Sequence, residues 1–215
     1  LSGVFALNEL DVSHVQAAGV FNAVGGDVRG VQVAGVINHA IGSLSGVQVA
    51  GVYNAAGGQV KGMQIAGLVN RAGKVDGVQL AGLLNIADSS DYPIGLVNLV
   101  KNGHRSLSIE GDTQGRLRTG FRSGGRVMYG LVGLGYGVAR QRLRYLAQAG
   151  IGTRLVTGKR FGMDAELVSK TITDFKRSQS QLDFSLLPQI ALMPQVRLYG
   201  GPVLGMVTAA KHPIE

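Results

Sequence analysis

The 215-residue sequence has no cysteine and only five prolines. Without cysteine there are neither disulfides nor a thiolate metal site, so stability has to come from elsewhere. No run of about 18 apolar residues occurs, so no transmembrane helix is expected. No secretory leader is visible. The chain opens on Leu1 rather than methionine, as expected of a processed or excised piece.

Groups that do chemistry are also scarce. The four histidines are His14, His39, His104 and His212. None has the spacing of a metal-ligand pair. His14 and His39 read as partly exposed turn residues. No Gly-x-Ser-x-Gly elbow is present. The Gly-x-Gly spacing in GLGYGVARQ (133–141) lacks the strand, turn and helix of a dinucleotide site. Residues 1–100 carry only Glu9, Asp11, Asp27, Asp76, Asp88 and Asp91. That is too sparse a supply of carboxylates for glycosidic acid–base chemistry. Asp27 and Asp76 fall at loosely equivalent joints. Asp88 and Asp91 share a loop with Ser89 and Ser90, which reads as a turn rather than a calcium site. The sequence therefore points away from an enzyme and implies no cofactor and no metal.

What is present is repetition. Residues 30–38 read GVQVAGVIN, 46–54 read GVQVAGVYN, and 62–70 read GMQIAGLVN. The glutamines are Gln16, Gln32, Gln48, Gln64 and Gln79. The asparagines are Asn22, Asn38, Asn54, Asn70 and Asn85. Both series are spaced 16, 16, 16 and 15. Degenerate copies flank them: VFALN ending at Asn8 and IGLVN ending at Asn98. Glycine-rich joints such as AVGGDVRG (23–30) separate the copies.

The segments are short, alternating and rich in β-branched residues, which favours strand. Interior glycines cost a helix about 1 kcal/mol each. A 16-residue unit is too short for a membrane hairpin, whose strands need about 9–11 residues each. A parallel β-solenoid fits: each repeat is one coil, stacked about 4.8 Å above the last. Equivalent amides then bond in ladders that satisfy one another inside the core. A sugar- or ice-binding array is the rival reading of the same residues. Their position beside apolar core residues favours the structural ladder.

After Asn98 the pattern changes. Residues 1–100 hold four Lys/Arg and six Asp/Glu, a net of −2; residues 101–215 hold 17 and seven, a net of +10. From 143 to 155, Leu143, Tyr145, Ala147, Ala149, Ile151 and Leu155 share a face opposite Arg144, Gln148 and Arg154. Phe161, Met163, Ala165 and Leu167 oppose Asp164, Glu166 and Lys170. Leu182, Phe184, Leu186, Ile190 and Leu192 share a face. Val196, Leu198, Leu204 and Met206 oppose Arg197 and Tyr199. These strands reach about twice the usual globular length of about 5–6 residues. Long alternating strands suit a transmembrane barrel or a soluble antiparallel barrel. Length and a face poor in charge favour the membrane barrel. About seven strands follow residue 104, one short of the eight a bacterial barrel needs. The barrel therefore looks incomplete, or the repeats complete it.

The repeats GVQVAGVIN, GMQIAGLVN and GVQLAGLLN, followed by YPIGLVNLVKNGHRSLSIEGD (92–112), resemble a surface-repeat family of uncharacterised proteins in Gram-negative bacteria, especially Bacteroidetes. In that family such repeats precede an outer-membrane-like β segment. The stretch ending in GGPVLGMV (196–207) is similar to a strand of small outer-membrane barrels. The resemblance implies a cell-envelope location and brings no catalytic residues.

The expected fold is all-β: a β-solenoid over 1–103, then an antiparallel barrel-like domain over 104–215. The expected role is non-enzymatic, structural or interacting, at the outer membrane or cell surface. Membrane lipid or lipopolysaccharide and other envelope proteins are the expected partners. Arg116, Arg118, Arg122, Arg126, Arg140, Arg142 and Arg144 are candidate contacts to such anions. Alternation places the first four on one strand face unless a bulge intervenes. No RNA-binding aromatic signature accompanies them, which argues against nucleic acid. The rival readings are a soluble glycan-binding repeat module and a pore lined by these arginines.

Overall fold

The computed structural model describes residues 1–137, 145–175 and 177–211. It contains strands and no helix among those residues. The chain divides into two compact units: Leu1–His104 with Ser123–Tyr129, and Arg105–Arg122 with Gly130–Glu215.

The first unit is a parallel β-solenoid of about six coils. Its strands are β1 (Phe5–Asn8), β2 (Val12–Ala18), β3 (Phe21–Val24), β4 (Val28–Ala34), β5 (Ile37–Ala40), β6 (Leu44–Ala50), β7 (Tyr53–Ala56), β8 (Gln59–Ala66), β9 (Val69–Arg71), β10 (Lys74–Ala81), β11 (Leu84–Ala87), β12 (Tyr92–Ile94) and β13 (Val97–Val100). The odd-numbered strands form one parallel sheet and the even-numbered strands the other. Each coil is one longer strand, an Ala-Gly turn, one short strand and a joint.

Register is set by identity. Gln32 lies beside Gln16 and Gln48, and Asn38 beside Asn22 and Asn54. Between the sheets, Val24, Val28, Ala40, Leu44, Ala56, Val60, Ala72, Val75 and Ala87 form the apolar core. The core position at or just after the end of each short strand is alanine in four successive coils, Ala40, Ala56, Ala72 and Ala87, facing Leu44, Val60 and Val75 of the longer-strand side. The first coil departs from the expected alignment. Ala6, not Asn8, lies beside Asn22, and Asn8 is exposed beside Val24. VFALN is therefore two residues out of step with the asparagine row.

One glycine row is obligatory. Gly30, Gly46, Gly62 and Gly77 have φ of 130°, 138°, 129° and 145°. A Cβ on Gly46 would lie 1.9 Å from the Gly30 carbonyl oxygen. His14 occupies the same row with φ 85°, at the end of the stack. Among the described residues none lies beneath it to meet its Cβ, and the left-handed conformation carries backbone strain.

In the remainder of the chain β14 (His104–Gly111), β15 (Arg116–Gly124), β16 (Met128–Gly137), β17 (Tyr145–Thr157), β18 (Phe161–Thr173), β19 (Ser178–Met193), β20 (Val196–Tyr199) and β21 (Val203–Lys211) form one antiparallel sheet in sequence order, curled into a half-barrel. β20 and β21 both pair with the edge of β19 that β18 leaves free. Pro202 and Gly200 continue that ladder, accepting from Leu186 N at 3.2 Å and donating to Pro188 O at 3.3 Å. The two are halves of one strand interrupted at Gly200-Gly201-Pro202. Among the described residues the sheet therefore has seven hydrogen-bonded strands.

Candidate functional site

Two amide ladders run through the solenoid. Gln32 donates to Gln16 Oε1 at 2.8 Å, Gln48 to Gln32 at 2.7 Å, Gln64 to Gln48 at 2.8 Å and Gln79 to Gln64 at 2.9 Å. Asn22 donates to Asn38 Oδ1 at 2.8 Å, and Asn38, Asn54 and Asn70 each donate to the next at 2.9, 3.0 and 3.0 Å. Asn85 extends this row to Asn98 at 2.8 Å. The asparagines also cross the interior: Asn38 Nδ2 donates to Val49 O at 2.7 Å and Asn54 Nδ2 to Ile65 O at 2.7 Å. These side chains are buried, so they are not displayed for binding sugar or ice. Each ladder stops where its amide row stops. Gln79 Oε1 faces the Pro93 position and Asn22 Oδ1 the Ala6 position, and both oxygens lack partners.

The Asn98 end is capped by the Ser123–Tyr129 segment. Ser123 Oγ accepts from Asn98 N at 2.9 Å, and Ser123 O accepts from Asn98 Nδ2 at 3.1 Å. Arg126 grips Asp91 through two bonds, at 2.7 and 2.8 Å. A third row runs along the joints. Asp27 N donates to Asp11 Oδ1 at 2.8 Å, Ser43 N to Asp27 Oδ1 at 2.7 Å and Gln59 N to Ser43 Oγ at 3.1 Å. Asp76 is not equivalent to Asp27: it aligns with Lys61, and through it with the Arg29 position. Asp88 is bound by Lys101 at 2.6 Å. Among the described residues, no group of three or more His, Asp or Glu side chains is arranged to hold a metal ion.

The outside of the longer-strand solenoid sheet is aliphatic. Val31, Val47, Met63 and Val78 form one row, and Val33, Val49, Ile65 and Leu80 the next. Charged residues sit at the joints and the first residues of the longer strands: Asp27 precedes β4, and Arg29, Lys61 and Lys74 lie at the starts of β4, β8 and β10.

The half-barrel reverses the arrangement of a water-soluble sheet, where the covered face is the apolar one. Its concave face carries the charges. Arg122 donates through Nε to Glu166 Oε1 at 2.7 Å and through Nη2 to Glu110 Oε1 at 2.9 Å. Tyr199 donates to the same Glu110 oxygen at 2.7 Å and accepts from Arg122 Nη1 at 3.1 Å. Arg118 lies 3.5 Å from Glu110, and Lys170 is paired with Asp183. Glu166 and Asp183 are buried. The convex face is apolar. Ile151, Leu167, Phe184 and Leu204 form one transverse row across four strands. Leu182, Leu186, Ile190, Leu192, Leu198 and Met206 are exposed on the same side.

Of the candidate arginines, Arg116, Arg118 and Arg122 share the concave face, each beside a carboxylate of this chain. Arg126 does not join them. β15 ends at Gly124, and Arg126 lies in the following turn on Asp91. Arg140, Arg142, Arg144 and His212 lie outside the described residues. The sequence reading missed Glu110, Tyr199 and Ser123. Glu110 and Tyr199 sit on the charged side of their strands, and that parity was the available signal. Nothing local marks Ser123, whose role depends on the chain returning to Asn98.

No protein-family model, no curated protein and no solved structure matches the chain.

Proposed function

We propose that the chain is a non-enzymatic cell-envelope protein whose curled sheet sits in a lipid bilayer and whose solenoid is a structural or interaction module. One observation carries the reading: the apolar side chains of the half-barrel point outward, and the ion pairs point inward. A membrane β-barrel needs that polarity, because its outside meets acyl chains and its inside does not. Strand length supports the reading too. β17, β18 and β19 have 13, 13 and 16 residues, against the roughly 9–11 that cross a bilayer. The resemblance of the repeats to surface-repeat proteins of Gram-negative bacteria supports an outer-membrane or surface location.

The rivals have less behind them. A pore lined by arginines is disfavoured because Arg122, Glu110, Glu166 and Tyr199 meet on the concave face. A glycan-binding solenoid is disfavoured because its amides are buried and its outward rows are aliphatic, offering sugars few hydrogen-bond partners.

The test is flotation of the full chain with phosphatidylethanolamine/phosphatidylglycerol vesicles after dilution from detergent. The expected result is co-flotation that resists high salt and carbonate washes. A monodisperse, stable chain in buffer without detergent, leaving vesicles bare, overturns the membrane reading.

A further inference from the structure

Among the described residues the sheet has two edges without a further strand, β14 on one side and the β20–β21 strand on the other. We infer that a single extended strand from outside residues 1–215 fits between them and closes the sheet into an eight-stranded barrel. The inference rests on the membrane reading in one respect: open edges are not tolerated in hydrocarbon, where backbone groups find no water.

Three observations set the number of missing strands at one. The first is parity. Six successive antiparallel steps lead from β14 to the β20–β21 strand, so both edges run in the same direction. Joining them directly would make a parallel pair in an otherwise antiparallel sheet. One strand of opposite direction pairs antiparallel with both, and gives the even number that bacterial barrels have.

The second is curvature. Tyr199, on one edge strand, donates to Glu110, on the other, at 2.7 Å. The edges are therefore no further apart than two side chains reach across the concave face. That gap suits one strand at the usual ladder spacing of about 4.8 Å to each neighbour, and not a second seven-stranded half.

The third is exposure. The three barest outward residues of its strands lie on its edges, Leu107 84%, Ile109 77% and Leu204 74%; Met206, also on an edge, is 69% exposed, as is Leu134 on the interior strand β16. Other residues within it are better covered, with Leu167 at 43% and Leu182 at 39%. The edge residues lack a neighbour on one side.

The chemistry of the occupant follows. It is a strand of about ten residues with large apolar side chains outward at alternate positions. Its inward positions are small or polar. At the level of the Tyr199–Glu110 bond the inward residue is glycine, alanine or serine, because that bond already fills the space beneath.

The experiment is hydrogen–deuterium exchange on the full chain in dodecylmaltoside micelles. The probe is a synthetic 12-residue peptide alternating leucine with serine and glycine. The control has the same composition in an order without alternation. The expected result is rapid exchange over residues 104–111 and 196–207 in the chain alone. One equivalent of the alternating peptide slows both segments together, at least tenfold, and the control slows neither.

Slow exchange at both edges without peptide overturns the inference. A monomeric mass then means the edges pair with each other, and a dimeric mass means a second copy covers them. Protection of one edge only, equal protection by the control, or no protection by the alternating peptide also overturns it. Vesicle flotation of the same chain reports the membrane reading separately. A chain that floats but has protected edges loses the closing strand alone. A chain that takes the peptide but does not float loses the membrane reading alone.

Discussion

Asn54 donates its side-chain N–H to Asn70 Oδ1 at 3.0 Å, toward the later coil, while Gln64 donates to Gln48 Oε1 at 2.8 Å, toward the earlier one. The two ladders thus run in opposite senses through one core, and their amide dipoles oppose each other. Within a ladder each amide polarises the next in the same direction, which strengthens the row. Both rows end on an unpartnered carbonyl oxygen, at Asn22 and Gln79. An under-satisfied acceptor is the better tolerated kind of orphan.

Replacing Asn54 with leucine breaks one row in the middle. Asn70 Oδ1 loses its Asn54 donor, and the Ile65 carbonyl loses the bond at 2.7 Å that stitches the sheets. Asn38 keeps two backbone acceptors, Val49 O and Gln32 O. The expected loss is about 1–3 kcal/mol, read as a lower midpoint in denaturant unfolding of the full chain. Ala6 already interrupts the row at its end, so Asn22→Leu should cost less. Equal effects at the two positions would mean that ladder continuity carries no weight.

The glycine row gives a prediction of opposite signs. Gly46→Ala puts a Cβ 1.9 Å from Gly30 O at φ +138°. The backbone has to leave that conformation, and a loss of about 1–3 kcal/mol is expected. His14 holds a left-handed conformation in the same row, at φ 85°. His14→Gly relieves it and should stabilise the solenoid by about 1 kcal/mol. Thermal unfolding of the two variants beside the parent decides the matter; a destabilised His14→Gly would show that the side chain itself is needed.

The coil was legible because it is written in identities. A fixed spacing of glutamine and asparagine among alternating apolar residues admits few folds, and parallel stacking is the one in which equals meet. The first coil misled for the same reason. Asn8 looked like the next asparagine, but register follows the strand, and Ala6 occupies the rung. Asp27 and Asp76 differ likewise: the row of Asp27 runs through Ser43 and Gln59 to Lys74, two places before Asp76. The half-barrel was legible as strands and faces, since alternation alone assigns Leu182, Phe184 and Leu186 to one side. Which charges meet was not legible. Arg122 reaches Glu166 and Tyr199 across 44 and 77 residues of sequence, and only the curl of the sheet brings them together.

Arg122 serves two carboxylates, so its loss and the loss of one partner should differ. Glu166→Gln removes one charge and leaves Arg122 on Glu110 at 2.9 Å. A loss of about 1–3 kcal/mol is expected. Arg122→Leu takes the guanidinium from Glu166 and Glu110 together, leaving Glu110 with Tyr199 at 2.7 Å and Arg118 at 3.5 Å. Removing the cation from two buried carboxylates costs more than removing one carboxylate, about 3–5 kcal/mol. The ranking is checked by thermal unfolding of both variants in the same detergent. Equal losses would mean that the concave face is wetter than its burial indicates.

Asp91 titrates as a test of the cap. The side-chain hydrogen bond from Arg126 holds its carboxyl below the usual range, outweighing a smaller rise from burial. Its folded value is therefore below its unfolded value of about 3.9. The stabilisation is present above that value and is lost as the pH falls through the folded one. Above about pH 5 the pair should be insensitive to pH. Arg126→Ala should move the Asp91 carboxyl upward, toward the unfolded value, read from its carbon-13 shift. No movement would mean that Arg126 does not hold Asp91 in solution.

The convex face gives the last prediction. Phe184 sits in the outward row with Leu167 and Leu204 and is 44% exposed. If that face meets water, Phe184→Arg is a surface change worth no more than about 0.5 kcal/mol. In a bilayer, arginine on the lipid face costs about 2–4 kcal/mol near the midplane. The expected outcome is a large fall in vesicle-bound protein for Phe184→Arg and little change for Phe184→Leu. Asp183, one residue earlier, faces the concave side beside Lys170. Asp183→Asn should leave vesicle binding intact while lowering stability, because it breaks a pair that lipid never touches. If Phe184→Arg binds vesicles as the parent does, the apolar convex face is not lipid-facing.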